Sequence, residues 1–459
     1  MAKKSKETPL EELAEQAKTA IDDGVKAVKK AKQDQAKPLN EAVEETAEET
    51  DNEGQSEEEE KPKKGAKKDV EDEIAKKYGK GRLMTASKAR SLVKTFVRTG
   101  IFSIDYVTGG GYARSWCSRC LGWESTGKSM MAYLVIAAFQ RSCKNCGLRL
   151  KVDYSFQKGC QCGPKAKPMK AALFDIENAY TLERGESFGV DNDNLAVIQP
   201  ESSEEGLDIS RILLASGKYD IFVLDSVAAF APSAEVEASI EKAQVATQAR
   251  LMNKACRVWQ GAINRSGLND EKKPHVILIN QYRYKAGLVF GDPKTIPGGI
   301  GQNYWSSLDV EFQKVKYHWL DENGKEIPKK KAEGEGPTYA ELSFETLKNR
   351  ACAPHRSGGF RFYFKNCVLP NGEEHFAGEI DELELVFKLG LIHGLIRGGG
   401  KKWRFEGLKA SSQDELHAAI GANKEKYESL KERLLTVLLA GGEAPEEEPC
   451  KTETSSQSG

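Results

Sequence analysis

The run Gly122-Trp-Glu-Ser-Thr-Gly127-Lys128-Ser129 constrains this chain more than any other feature. It matches G-x-x-x-x-G-K-[ST] in full and stands between a β-prone run, Cys117–Leu121, and the apolar stretch MMAYLVIAAFQ. Gly122 and Gly127 let the loop curl so that backbone N–H groups and a helix N-terminus face phosphate. Trp123, Glu124, Ser125 and Thr126 complete the cofactor-binding loop, Lys128 adds a point charge, and Ser129 brings a hydroxyl for Mg²⁺.

A site of this kind needs a second metal contact at a strand's carboxyl end. Tyr219-Asp-Ile-Phe-Val-Leu-Asp225-Ser226 supplies it, with four apolar residues leading into Asp225. Further strands read at Ala171–Asp175, Asn194–Ile198 and His275–Asn280, with helical periods between several of them. Runs such as IFVLD and VILIN suit strands buried on both faces, so the expected fold is an α/β P-loop core with a mostly parallel central sheet. Hydrolysis also needs a group that orients water, and Glu177 follows the strand AALFD closely enough to do so. Spacing alone leaves a helix-capping acid as an equal reading.

At 459 residues the chain has room for about three domains. Residues 1–68 contain no Phe, Trp or Tyr and alternate acidic with basic runs, so they read as a disordered charged arm. Leu10, Leu13, Ala17, Ile21, Val25 and Val28 give that arm one weak apolar stripe, either a partner-binding helix or a solvated transient one. Residues 69–90 read as a short helix and linker, 91–374 as the ATPase core, and 375–441 as a small α/β C-terminal domain. Its last helix puts Tyr427, Leu430, Leu434, Val437 and Leu438 on one face, and 442–459 form an acidic tail. No run of about 18 uncharged apolar residues and no signal-like N-terminus occurs, so a cytoplasmic protein without a membrane partner is expected.

With 68 basic against 69 acidic residues, bulk polycation binding to nucleic acid is excluded, and any such site must be local. Tyr282-Arg283-Tyr284-Lys285, followed by Gly287, Gly291, Pro297, Gly298 and Gly299, offers one. Cations there neutralise phosphates, aromatics stack on bases, and glycine N–H groups approach the backbone.

Four of the ten cysteines crowd into twenty residues, Cys143-Lys-Asn-Cys146 and Cys160-Gln-Cys162. Two close pairs of thiolates can surround a structural Zn²⁺, although C-x-C is tighter than the usual C-x₂-C and free thiols are the alternative. Cys117 and Cys120 share C-x₂-C spacing, but strand alternation sends them to opposite faces.

In chain order, RTGIFSIDYVTGGG, GWESTGKS, FDIENA, GVDNDNLAVIQPES, YDIFVLDSVAAFAP, INQYRYKAGLVFGDPKTIPGG and LKNRACAP resemble the RecA family of ATP-dependent DNA strand-exchange recombinases, from about Ile74 to about Gly441. The resemblance makes Glu177 the glutamate that activates water and Gln281 the residue that senses γ-phosphate. It places ATP between protomers, with Lys348 and Arg350 reaching the neighbour's phosphates, and so implies a filament. It makes the segment carrying Arg283, Lys285, Gly298 and Gly299 the second DNA-binding loop, and Glu237–Gln248 the first, with Arg250 on the helix that follows. Ile74 and Tyr78 fall on the helix that packs against the neighbouring protomer.

The chain departs from the family in three places. Val245 and Ala286 are smaller than the apolar wedges the family inserts between bases. Arg184 stands where the family carries an adenine-stacking tyrosine, a role a guanidinium plane can also fill. The segment 143–165 is an insertion, and with the charged arm it points to a divergent branch such as a bacteriophage lineage. The implied function is an ATP- and Mg²⁺-dependent recombinase with single- and double-stranded DNA, copies of itself, and single-strand-binding or mediator proteins as partners. The alternative is a RadA-like branch-migration or helicase-type motor.

Overall fold

A computed structural model describes residues 73–74, 76–78, 95–230, 245–268, 270–284, 294–332 and 334–440. The charged arm, the acidic tail, most of 69–90, residues 231–244, and Lys285 and Ala286 lie outside the described residues. The chain divides into two units, Met1–Met84 and Thr85–Gly459. In the first, Ile74 and Tyr78 are helical and Tyr78 is exposed.

The second unit is built on an eleven-stranded sheet. Its strands are β1 (Cys117–Gly122), β2 (Ala171–Asp175), β3 (Leu195–Ile198), β4 (Ile221–Asp225), β5 (His275–Gln281), β6 (Leu308–Phe312), β7 (Lys316–Leu320), β8 (Glu326–Ile327), β9 (Tyr339–Asn349), β10 (Ser357–Tyr363) and β11 (Ile380–Asp381). The order is β8-β7-β9-β6-β1-β5-β4-β2-β3, with β10 on β9 and β11 on β10. Strands β6, β1, β5, β4, β2 and β3 run parallel; β9 turns the sheet antiparallel. The mostly parallel α/β core expected from the sequence is thus present.

Two apolar layers cover the parallel strands, as continuous runs such as IFVLD require. Helix α1 (Phe102–Thr108) and helix α2 (Lys128–Gln140) belong to the side that holds Cys120, Leu173, Val223 and Ile277. Nearly all of α2 is buried, which suits a helix that is apolar all round. Helix α3 (Leu182–Ser187) follows β2 and is capped by Thr181. Helices α4 (Ser203–Ser216) and α5 (Val245–Arg265) cover the other side, which holds Cys117, Phe174, Phe222 and Leu278. Ser202 caps α4, its side chain accepting from Glu205 N–H, and Gly217 ends it in the left-handed region. Cys117 and Cys120 therefore sit in opposite layers, three residues apart on one strand.

Helices α6 (Leu383–Ile392), α7 (Gln413–Ala422) and α8 (Lys424–Ala440) build the C-terminal cluster, with Phe102 of α1 inside it. Leu430, Leu434 and Leu435 are its buried residues on α8, while Tyr427 and Leu438 pack at its margin.

His275 begins β5 fully enclosed. Its Nδ1 lies 2.7 Å from the Ala113 carbonyl and its Nε2 2.9 Å from Ser118 Oγ, so the neutral ring donates at one nitrogen and accepts at the other. Burial pushes its pKa down to about 4, the Ala113 bond opposing. Its contribution to stability is complete above about pH 6.5 and is lost as pH falls toward 4, a total of about 3 kcal/mol. Unfolding in urea should show wild type and His275→Gln converging by about that amount between pH 7 and pH 4. A constant difference between them would refute this account.

Candidate functional site

The parallel register brings the carboxyl ends of four strands to one edge. Gly122 of β1 pairs with Gln281 of β5, and Asp175 of β2 pairs with Asp225 of β4. The loop after β1 fits tightly: a Cβ at Gly122 would stand 2.7 Å from Thr126 Oγ1 and 2.9 Å from the Phe312 carbonyl. Ser125 and Gly127 both take positive φ, 58° and 83°, which turns successive N–H groups inward before α2 starts at Lys128.

The result is a cleft of about 470 Å³. One wall carries the phosphate loop from Glu124 to Ser129 with Glu177, Arg184, Asp225 and Gln281; the other carries Val315, Tyr317, Ala340 and Phe364. Lys128 is buried, and desolvation lowers its pKa. Its Nζ donates to the Trp123 carbonyl at 2.5 Å and to Thr126 Oγ1 at 3.2 Å. Burial pushes Asp225 up to about 6; its hydrogen bond with Ser129 pulls down and the charge of Glu177 pushes up. A hydroxyl and a carboxylate in contact, both facing the loop, are a donor set that suits Mg²⁺.

Glu177 reaches the same place from β2. Ser226 Oγ donates to its Oε1 at 2.5 Å. Asp175, which sequence reasoning did not single out, anchors this turn: it accepts from Ala179 N–H and Tyr180 N–H, each at 3.1 Å. An acid ending a buried strand was the available signal. Arg184 lies in the cleft with its guanidinium 6.0 Å from the Tyr133 ring.

Trp123 and Gly122 are not among the cleft's lining. The indole of Trp123 turns outward to Tyr284, with ring centroids 4.5 Å apart, and to Tyr282 at 5.7 Å. Tyr282 N–H donates to the Gly122 carbonyl at 3.1 Å, so the phosphate-loop strand and the root of the 282–299 loop are hydrogen-bonded directly. Arg283 and Arg250 are exposed; Val245 opens α5, and its side chain is outside the described residues. Gly298 and Gly299 have positive φ, and a Cβ there would meet Gln302, Val227 or Ala249. Close packing against α5 is a structural requirement at both positions.

Lys348 and Arg350 stand away from this cleft. Lys348 pairs with Asp309 across β9 and β6, three residues, or about 10 Å of strand, from the row of Phe312 and Gly122. Its Nζ donates to the Asn303 carbonyl at 2.7 Å and the Ser306 carbonyl at 2.6 Å, and Arg350 donates to Ser307 Oγ at 3.3 Å.

Cys143, Cys146, Cys160 and Cys162 converge, their sulfurs all within 4.8 Å of one another. Burial raises the Cys143 thiol, but backbone N–H donors from Cys146 and Asn145 outweigh it and bring the pKa down to about 6. Four sulfurs converging this closely fit a tetrahedral Zn²⁺.

The RecA N-terminal domain family matches residues 151–364. RecA of Limosilactobacillus reuteri is 30% identical over 370 residues, covering 78% of this chain and 90% of that protein.

The chain belongs to the RecA family.

RecA of Clostridium novyi is 35% identical over 245 residues, or 53% of this chain, and RecA of Clostridium acetobutylicum 34% over 244 residues. The matched stretch spans 61% of the length of each of these two clostridial relatives. Among the described residues no helix is long and apolar enough to cross a membrane.

Proposed function

We propose that this RecA-family chain is a DNA-dependent ATPase that assembles head to tail on single-stranded DNA, pairs it with homologous duplex, and exchanges strands. One observation carries the reading. The cleft residues gather at the carboxyl edge of the sheet beside the root of a cationic, aromatic loop, whereas Lys348 and Arg350 face away from their own cleft. A head-to-tail interface joins two unlike surfaces, so it can bring one protomer's cations to the next protomer's nucleotide.

In this mechanism the loop N–H groups and Lys128 bind the phosphates of ATP. Ser129 and Asp225 hold Mg²⁺, which when bound neutralises charge on the phosphate oxygens. Glu177 accepts a proton from the attacking water, and its bond from Ser226 Oγ fixes the direction of its carboxylate. Gln281 ends β5 one residue before Tyr282, so contact with a bound phosphate displaces the loop root that also touches Trp123.

Steady-state ATP hydrolysis with and without unstructured single-stranded DNA tests the reading. Stimulation by DNA is expected, with Lys128→Ala slower by about 10²–10³-fold. Absence of stimulation would favour a RecA-fold motor that does not act through this loop.

The cysteine cluster is proposed to hold one structural Zn²⁺. Protein purified without chelator should contain about one zinc per chain. Removing it should open the insert to trypsin at Lys151 and Lys158, two exposed positions. Metal-free protein with an equally resistant insert would exclude the site.

A further inference from the structure

The insert between α2 and β2 carries a feature that neither nucleotide binding nor the 282–299 loop uses. Residues 143–170 contain seven Lys or Arg and a single acid, Asp153, in a chain whose overall balance is 68 to 69. Two of these cations serve the fold. Arg149 donates to the Thr99 carbonyl at 2.5 Å, and Lys144 donates to the Gly217 and Lys218 carbonyls. The other five, Lys151, Lys158, Lys165, Lys167 and Lys170, are exposed and form no ion pair among the described residues.

Their support is ordered. Lys144 N–H donates to the Lys167 carbonyl, Cys160 N–H to the Arg149 carbonyl, and Asn145 to the Lys165 carbonyl. The bonds from Lys144 and Asn145 hold Lys165 and Lys167 beside the cysteines. Lys151 and Lys158 instead line a groove of about 450 Å³ together with Tyr154. Acids on the groove's far wall are already paired, Glu432 with Arg98 and Glu428 with Lys431.

Next to these lysines the Tyr154 and Phe156 rings stack face to face, 5.3 Å apart and 3° from parallel, with Phe156 39% exposed. Unpaired cations alone suit any polyanion. A pre-stacked aromatic pair beside them, with Phe156 exposed and Tyr154 half-buried, suits one whose units can extend the stack, and unpaired bases do this where acidic side chains do not.

We propose that the cysteine insert is a second binding site for single-stranded DNA, separate from the loop that follows β5. The insert leaves the C-terminal end of α2 and returns at the N-terminal end of β2, the sheet edge opposite the phosphate loop. A strand held there leaves the nucleotide cleft free. The binding itself does not depend on the filament reading; within a filament it holds a second strand while the 282–299 loop holds the first.

The test is fluorescence anisotropy of a labelled oligo-dT with the full chain, without nucleotide, over a range of salt. Arg283→Ala/Tyr284→Ala silences the loop, so binding that survives it reports the insert. In that background, Lys151→Gln/Lys158→Gln/Lys165→Gln/Lys167→Gln should weaken binding at low salt by about 100-fold and flatten the salt slope by about 3. Phe156→Ala alone should weaken it by about 10-fold. Unchanged affinity in the lysine variant would overturn the proposal, and so would a lysine effect with Phe156→Ala silent, which describes a site for any polyanion. If the lysine variant fails to fold by circular dichroism, Phe156→Ala decides alone. DNA-stimulated ATP hydrolysis should persist in the insert variants and fall in the loop variant, so failure of either site is read separately.

Discussion

Two variants that are each inactive should restore ATP turnover when mixed. Lys348→Ala is expected to lose DNA-stimulated turnover by about 10³-fold or more while nucleotide still binds, because a cation supplied in trans to a transferring phosphoryl group is worth about 10³–10⁵. The physical basis is placement. In its own protomer Lys348 bonds the Asn303 and Ser306 carbonyls at the edge away from Gly122, and it does not line the cleft. Glu177 lies in the cleft itself. An assembly of Lys348→Ala and Glu177→Gln protomers therefore contains interfaces where an intact Glu177 meets an intact Lys348. With random mixing in equal amounts, roughly a quarter of the interfaces are complete. Recovery toward that fraction is the expected result, measured as phosphate release against mixing ratio. Strictly additive, near-zero rates would show that Lys348 acts within its own chain or not at all.

Glu177→Gln should lower turnover by about 10²–10⁴-fold with nucleotide affinity little changed. The amide keeps the shape and still accepts from Ser226 Oγ, but it can take no proton from water. Fluorescent-nucleotide binding and single-turnover hydrolysis, measured together, separate the two quantities. Equal loss of binding would instead make Glu177 part of the phosphate cradle. Asp175→Asn gives a useful contrast, since Asp175 holds the turn through the Ala179 and Tyr180 N–H groups and does not itself line the cleft. A smaller loss, in rate alone, is expected there.

The buried strands and the nucleotide loop were legible from local pattern. IFVLD and VILIN are long enough and apolar enough to require burial on both sides, and the loop motif needs only eight consecutive residues. Asp225 followed from being the first polar residue after such a run. Glu177 was ambiguous by spacing, because an acid two residues beyond a strand end serves a turn as readily as a reaction. Only the pairing of Asp175 with Asp225 puts it beside Ser226. Trp123 was read as part of the nucleotide site from its place in the motif, yet its ring faces Tyr282 and Tyr284. Sequence position in a tight loop does not specify side-chain direction.

By itself, then, the sequence determined which segments must be strands, where the G-x-x-x-x-G-K-[ST] loop lies, and that four cysteines recur at metal-ligand spacing, since each of these depends on neighbours within a few residues. Tertiary structure alone decided the rest. It set the strand order that brings Gln281 level with Gly122 and the packing of Gly298 and Gly299 on α5. It also put Lys348 at the far edge of the sheet. These depend on register between residues tens to hundreds of positions apart, which is settled by burying both sheet faces at once and leaves no mark on any short stretch of chain.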